Sequence, residues 1–150
     1  MIRAVLDTNV IVSGIILLRG LPYAILEAWR HGRFRLVTTV EQRAEIARVV
    51  HRPKFAARYA PDEAEIDGLL FRLARDSEVI SISVIDSPIT VRDPDDEHVL
   101  AAAMASNADF LVSGDKDLLV LAGDPRLGTL QIVPPRAFID ALDPANDAAL

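Results

Sequence analysis

Apolar residues along this chain fall into two alternating kinds of segment. Short clusters rich in Val, Ile and Leu, namely "IRAVL", "FRLVT", "EVISIS", "DFLVS" and "LQIV", read as strands, and the longer stretches between them carry apolar residues at helical spacing. This alternation predicts parallel strands joined by helices, an α/β fold with a mainly parallel central sheet.

The helical stretches carry start and stop signals. Pro22 suits a first helical turn, and "PYAILEAWRHG" then places Ile25, Leu26 and Trp29 on one face before stopping at Gly32. Thr38 and Thr39, followed at three residues by Glu41 and Gln42, fit a capping box that opens a helix through about Val50, closed by Pro53. Asp62 and Glu65 repeat that spacing ahead of "IDGLLFRLARD", where Ile66, Leu69, Leu70 and Leu73 turn inward and Gly68 weakens the pattern. A loop or edge strand is expected across "SVIDSPITVRDPDD", a helix from Glu97 to about Ser106, and a last helix from Pro135 to Leu142. Residues 143–150 have little to bury and are expected to fray, which leaves one domain over residues 1–142. The apolar run "GIILLRGLPYAIL" exceeds what one small helix face needs, so Ile15 to Leu18 serve either the core or an interface between two copies.

Composition narrows the chemistry. A chain of 150 residues with 51% hydrophobic content supports one domain with a sizeable core and not two. It has no cysteine and three scattered histidines, so disulfides and thiolate zinc sites are excluded and any metal is held mainly by oxygen. Arg3 and Asp7 interrupt the apolar start, and no apolar run approaches the length of a membrane span, so a cytoplasmic protein without membrane contact is expected. The net charge of −6 argues against binding nucleic acid by bulk attraction alone, while remaining compatible with a nuclease whose acidic site divalent ions neutralise.

Several of the acids stand where strands end. Asp7 closes the first strand and Asp115 the strand "FLVSG", which puts both at the carboxyl edge, where open α/β sheets build their sites. On neighbouring strands about 4.8 Å apart, their side chains can share one ion. Asp96 sits at the start of the following helix, favoured there by the helix dipole. Because that helix leads back to the Asp115 strand, a simple connection is expected to start it at the opposite edge; an oblique crossing or an irregular preceding segment relieves the conflict. Glu45 lies one turn into the second helix, at the margin of a stripe formed by Ile46, Ala47 and Val50. Each acid alone reads as a cap, a turn former or a solvated residue, and the chemistry rests on their combination.

In this light the segments "VLDTNVIVSGI", "AEIARVVHRPKF", "RDPDDEHVLAAA" and "ADFLVSGDKDLL" resemble, in order, the motifs of the PIN domain, in particular the bacterial toxin-like PIN proteins related to the VapC ribonucleases. The resemblance runs from Ile2 to about Leu142. It implies a Rossmann-like α/β/α sandwich with a carboxylate cluster that binds Mg²⁺ or Mn²⁺ and cuts single-stranded RNA. Carried over residue by residue, the catalytic set is Asp7, Glu45, Asp96 and Asp115, with Asp7, Asp96 and Asp115 on the metal and Asp117 as an auxiliary. "RDPDDE" also offers Asp93, Asp95 and Glu97; the Asp-Pro-x-Asp pattern selects Asp96, whereas counting back from "SGD" selects Glu97. Thr8, Asn9 and Ser113 match family positions that hydrogen-bond the carboxylates, or else satisfy backbone groups at turns. The resemblance further implies an antitoxin protein partner and a homodimer.

A substrate strand also needs cations. "HRPKFAARY" places Arg52, Lys54 and Arg58 among Phe55 and Tyr59, where phosphates can be held and bases stacked, or where a solvated basic loop covers two core aromatics. Arg19, Arg33 and Arg35 are further cations. Two rival readings are a haloacid-dehalogenase-type phosphatase, which needs a second acid where Asn9 stands, and a non-catalytic module that keeps the fold and only binds.

Overall fold

The structure is a computed structural model that describes residues 1–17, 19–82 and 89–143. Five strands form one sheet: β1 (Arg3–Leu6), β2 (Arg35–Thr39), β3 (Glu78–Ile80), β4 (Phe110–Val112) and β5 (Gln131–Val133). Their spatial order is β3-β2-β1-β4-β5 and every neighbouring pair is parallel. The helices are α1 (Thr8–Ile16), α2 (Leu21–Arg30), α3 (Val40–Val50), α4 (Pro53–Tyr59), α5 (Glu63–Asp76), α6 (Pro94–Ala105), α7 (Lys116–Leu119) and α8 (Pro135–Leu142), with one 3₁₀ turn at Pro125–Leu127. The fold is thus the α/β sandwich expected, with helices on both faces.

Alternate residues of β1, β2, β4 and β5 feed two cores, which is why these strands are largely apolar, whereas the edge strand β3 adds only Ile80 to the second core. Ala4, Leu6, Leu36 and Val112 face a cluster built with α1, α2, α3, α5 and α8, including Trp29, Phe34, Leu69 and Phe138. Val5, Val37, Leu111 and Ile132 face the other, built mainly with α6 and including Val99, Leu100 and Leu118. Phe138 is fully buried and meets Phe34 edge-on at 5.0 Å between ring centres. Among the described residues no single helix is long and apolar enough to cross a bilayer.

Several local expectations change. "TNVIVSGII" forms α1, so part of the apolar run "GIILLRGLPYAIL" is helix packed on α2; Ile15 and Ile16 lean on the first core, Leu17 is exposed, and Leu18 lies outside the described residues. Pro53 does not merely close α3 but opens α4, so the basic stretch is a short helix and not a loop. In it Phe55 is buried, which removes it from base stacking, while Tyr59 is exposed with the Arg58 guanidinium 5.3 Å from its ring centre. The α6 helix begins at Pro94, earlier than expected, because Asp93 caps it by accepting from the Asp95 N–H at 2.9 Å. The expected capping box of α3 is half made: Thr39 accepts from the Gln42 N–H at 3.0 Å, but the Gln42 side chain reaches the Leu6 carbonyl at 2.7 Å instead of closing the box. Of the segment expected as loop or edge strand, residues 83–88 lie outside the described residues, residues 89–93 form no strand, and Ile89 and Val91 are buried in the second core. Residues 144–150 of the expected tail also lie outside the described residues.

The supposed conflict over α6 disappears. Near its carboxyl end, Ser106 gives its carbonyl to the Arg3 guanidinium, and Arg3 starts β1, so α6 ends at the amino edge of the sheet. A helix that feeds a parallel strand must run back along the sheet, and its start therefore lies at the carboxyl edge, beside the ends of β1 and β4. Arg33 and Arg35, by contrast, stand at the amino end of β2, remote from that edge.

Two helical glycines separate packing from propensity. A Cβ at Gly14 would meet Leu26 Cδ1 at 2.5 Å and the Pro22 carbonyl oxygen at 2.9 Å, whereas a Cβ at Gly68 meets nothing within 4 Å. Gly14→Ala is expected to cost about 1–3 kcal/mol in chemical denaturation through overpacking. Gly68→Ala is expected to gain about 0.5–1 kcal/mol in the same measurement; equal effects from the two would show that α1 does not need its close approach to α2.

Candidate functional site

The carboxyl edge of the sheet gathers the acids. Leu6 pairs with Val112, so the next residues, Asp7 and Ser113, leave β1 and β4 side by side. The Asp7 N–H continues the ladder to the Val112 carbonyl at 2.9 Å, and the Asp7 carbonyl starts α1 by accepting from Val10 and Ile11. Asp7 is only 6% exposed. Its carboxylate turns across the strand gap and accepts from Ser113 Oγ at 2.7 Å, while that hydroxyl accepts from the Asp115 N–H at 2.9 Å. Ser113 thus ties one acid's side chain to the other's backbone. Asp115 caps the short α7, accepting from the Asp117 N–H at 2.8 Å.

Asp96 arrives from α6 and is 5% exposed. Carboxylate oxygens of Asp96, Asp115 and Asp117 lie within 4.8 Å of one another. Asp117, expected as an auxiliary, is therefore in the tightest group, and Asp7 stands beside it, close enough that its charge acts on Asp96. Glu97, the other candidate in "RDPDDE", lines a separate cleft of about 230 Å³ between α3 and α6, together with Glu41, Glu45, Arg48, Pro94, Asp95 and His98. Glu45 faces that cleft and is joined to the Asp7 end through Thr8, whose hydroxyl donates to Glu45 Oε2 at 3.3 Å. Asn9 is exposed, and what it brings to Asp7 is its backbone amide.

Electrostatics follow from the packing. Burial raises the Asp7 pKa above the ordinary aspartate value and the Asp115 charge adds to this, against the Ser113 hydroxyl and the amides of Asn9 and Thr8. Glu45 is raised by burial and by the charges of Asp95 and Asp7, with Thr8 and Arg48 opposing. Asp96 goes furthest, pushed up to about 7 by burial and by the charges of Asp115, Asp7 and Asp93. Its Oδ2 is buried with no hydrogen-bond partner. A buried, unpartnered oxygen among like charges and an all-oxygen donor set together fit a hard divalent cation such as Mg²⁺ or Mn²⁺.

Arg48, Thr39, Gln42 and His98 complete the surroundings, and none was singled out for the site from the sequence. Arg48 follows Glu45 by one helical turn, a spacing that could have flagged it. His98 bonds Thr39 across the end of β2, a contact that no sequence spacing reveals. Arg52, just before α4, and Lys54 and Arg58 on it are exposed beyond the far end of α3, away from the cluster, and Arg19 is exposed between α1 and α2.

A family model described as PIN domain matches residues 3–117, which span every strand end and acid just described except the last strand. The chain belongs to the PIN domain family. It is 29% identical over 151 residues to an uncharacterised protein of Methanocaldococcus jannaschii (MJ1680), covering 95% of this chain and 92% of that protein. A chain in the crystal structure of VapBC2 from Rickettsia felis, bound to a DNA fragment from their promoter, superposes with a TM-score of 0.56 at 18% identity, covering 89% of this chain and 98% of that one. This second likeness concerns the fold. Membership in the PIN family sets aside the haloacid-dehalogenase alternative, whose required second acid is replaced here by the exposed Asn9.

The raised pKa of Asp96 makes this PIN domain's stability fall with pH when no cation is present. Below about pH 4 the group is protonated whether folded or unfolded and costs nothing; between about 4 and 7 the unfolded chain ionises first, and the penalty then stays constant. In chelator, Asp96→Asn is therefore expected to melt higher than the unaltered protein at pH 8, by about 1–3 kcal/mol of stability, with the difference vanishing near pH 4. A difference in melting temperature that does not change with pH would count against a strained Asp96.

Proposed function

We infer that the protein is a metal-dependent endoribonuclease that hydrolyses phosphodiester bonds of single-stranded RNA, and that it acts as the toxin-like member of a pair with an inhibitory protein. The observation that carries this reading is the meeting of Asp7, Asp96, Asp115 and Asp117 at one edge of the sheet, with Asp96 Oδ2 left unpartnered. Membership in a family whose members are generally nucleases supports the reaction class. The superposition on a VapBC2 chain supports looking for a protein partner, and a homodimer is part of the same reading.

In the mechanism proposed, Asp96, Asp115 and Asp117, with Asp7 beside them, would hold Mg²⁺ or Mn²⁺. When bound, such an ion supplies an acidified water near neutral pH and positive charge against the attacked phosphate. Ser113 orients Asp7 by occupying one carboxylate oxygen and fixes the Asp115 backbone with the same hydroxyl. Thr8 steadies Glu45; burial and the neighbouring acids hold its carboxyl above the usual glutamate range, which favours its taking up a proton from a group beside it. Arg48, in the cleft beside Glu45, holds a phosphate next to the cut, and the exposed Arg52, Lys54 and Arg58 engage the strand farther along, offsetting the chain's overall negative charge.

The test is cleavage of labelled single-stranded RNA by the purified protein with Mn²⁺ or Mg²⁺. Internal cuts that stop on chelation are expected, and Asp7→Asn, Asp96→Asn and Asp115→Asn should each slow them about 100-fold or more, some 2.7 kcal/mol of barrier. Cleavage that survives chelation, or metal binding with no cleavage of any RNA, would overturn the assignment.

A further inference from the structure

The acids of this site come from both sides of the sheet. Glu45 rides on α3, whose Ile46 and Val50 pack in the first core, and Asp96 rides on α6, whose Val99, Leu100 and Ala103 pack in the second. The two helices therefore pack in different cores on opposite faces of the sheet, and no single apolar cluster holds α3 and α6 together. Among the described residues a polar contact bridges them. Thr39, the last residue of β2 and fully buried, uses Oγ1 both to cap α3, accepting from the Gln42 N–H at 3.0 Å, and to bond His98 Nε2 on α6 at 2.8 Å. Gln42 in turn donates from Nε2 to the Leu6 carbonyl at 2.7 Å, one residue before Asp7. The ends of β1 and β2 and the starts of α3 and α6 are therefore joined through one hydroxyl and one amide.

We propose that Thr39 and His98 are positioning residues: their hydrogen bond is a strut across the end of the sheet that fixes Asp96 on α6 relative to Asp7 and Glu45, and so sets the geometry of the cation site without touching the cation. The proposal rests on the metal-dependent reading given above. A hydroxyl at the end of a strand normally needs only to cap the helix that follows, and the Gln42 N–H satisfies that role. The bond to His98 is additional to it. Its effect is to hold two helix starts together where Glu45, Asp96 and the acids around them repel, with burial and like charge working against their close approach.

The experiment measures Mn²⁺ binding by loss of the free-ion electron paramagnetic resonance signal, alongside melting in chelator, for the unaltered protein, His98→Leu, Thr39→Val, the double variant and Thr39→Ser. His98→Leu removes the strut and leaves the α3 cap in place; Thr39→Val removes both. Each is expected to weaken Mn²⁺ binding about 10-fold, the double variant by no more than Thr39→Val, while Thr39→Ser binds within about twofold of the unaltered protein. His98→Leu should also melt close to the unaltered protein in chelator, separating loss of position from loss of fold. Unchanged Mn²⁺ affinity in His98→Leu would overturn the strut, whatever Thr39→Val does through its lost cap, and leave the nuclease reading standing. Failure of the unaltered protein to bind Mn²⁺ would overturn that reading, and the strut with it.

Discussion

Parallel pairing of β1 with β4 is the constraint on which the site depends. These strands are far apart in the chain and adjacent in the sheet, and β1 is where the spatial order turns from β2 and β3 on one side to β4 and β5 on the other. At such a switch point the connections on either side depart to opposite faces, leaving a crevice at the carboxyl edge. Asp7 and Asp115 open onto it because the Leu6 to Val112 register brings both strands to an end together. A slip of one residue would turn Ser113 to the other face and break the bond that orders both acids.

Collecting acids in a crevice works against folding, and the structure offsets this unevenly. Asp7 has a hydroxyl and two amides to stabilise its charge, and Glu45 has Thr8 and the nearby Arg48. Asp96 has an unpartnered oxygen and three acidic neighbours, which is why its pKa rises most. Among the described residues, the ion pairs given by the structure lie elsewhere: Arg3 with Glu78 at the amino edge, Arg30 with Glu27 on α2, and the surface pairs of Arg75 with Asp76 and Arg126 with Asp124. The two apolar cores carry the stability, and they leave the edge free to be electrostatically strained.

Strands and long helices were legible because their residues obey one period each. All five apolar clusters became strands, and the cap of α5 lies where Asp62 signals it, accepting from the Ala64 N–H. The α1 helix was not legible: "TNVIVSGII" is β-branched and buried on most sides, so it lacks the polar face that marks a helix. The short α4 hid behind a proline that starts one helix just after another ends. In the site, the edge position of Asp7 and Asp115 followed from where their strands stop. The place of Asp96 required knowing that a crossover helix runs back along the sheet, and the Thr39 to His98 contact joins residues on different elements whose meeting only the three-dimensional packing decides.

Helix starts at this edge create a further asymmetry. Their partial positive charge favours anions, and in an unfilled site a substrate phosphate would be the natural occupant. At three of these starts the place is taken by the protein's own acids: Asp7 at α1, Asp93 and Asp96 at α6, and Asp115 at α7. A polyanionic strand approaching the edge of a chain with net charge −6 therefore meets carboxylates and not bare amides. On the nuclease reading, the sign of the edge reverses only when divalent charge enters among the acids, so strand binding and cation binding favour each other by the same free energy. On that reading, the repulsion that strains Asp96 would also hold a nucleic-acid strand off the edge until a cation has entered.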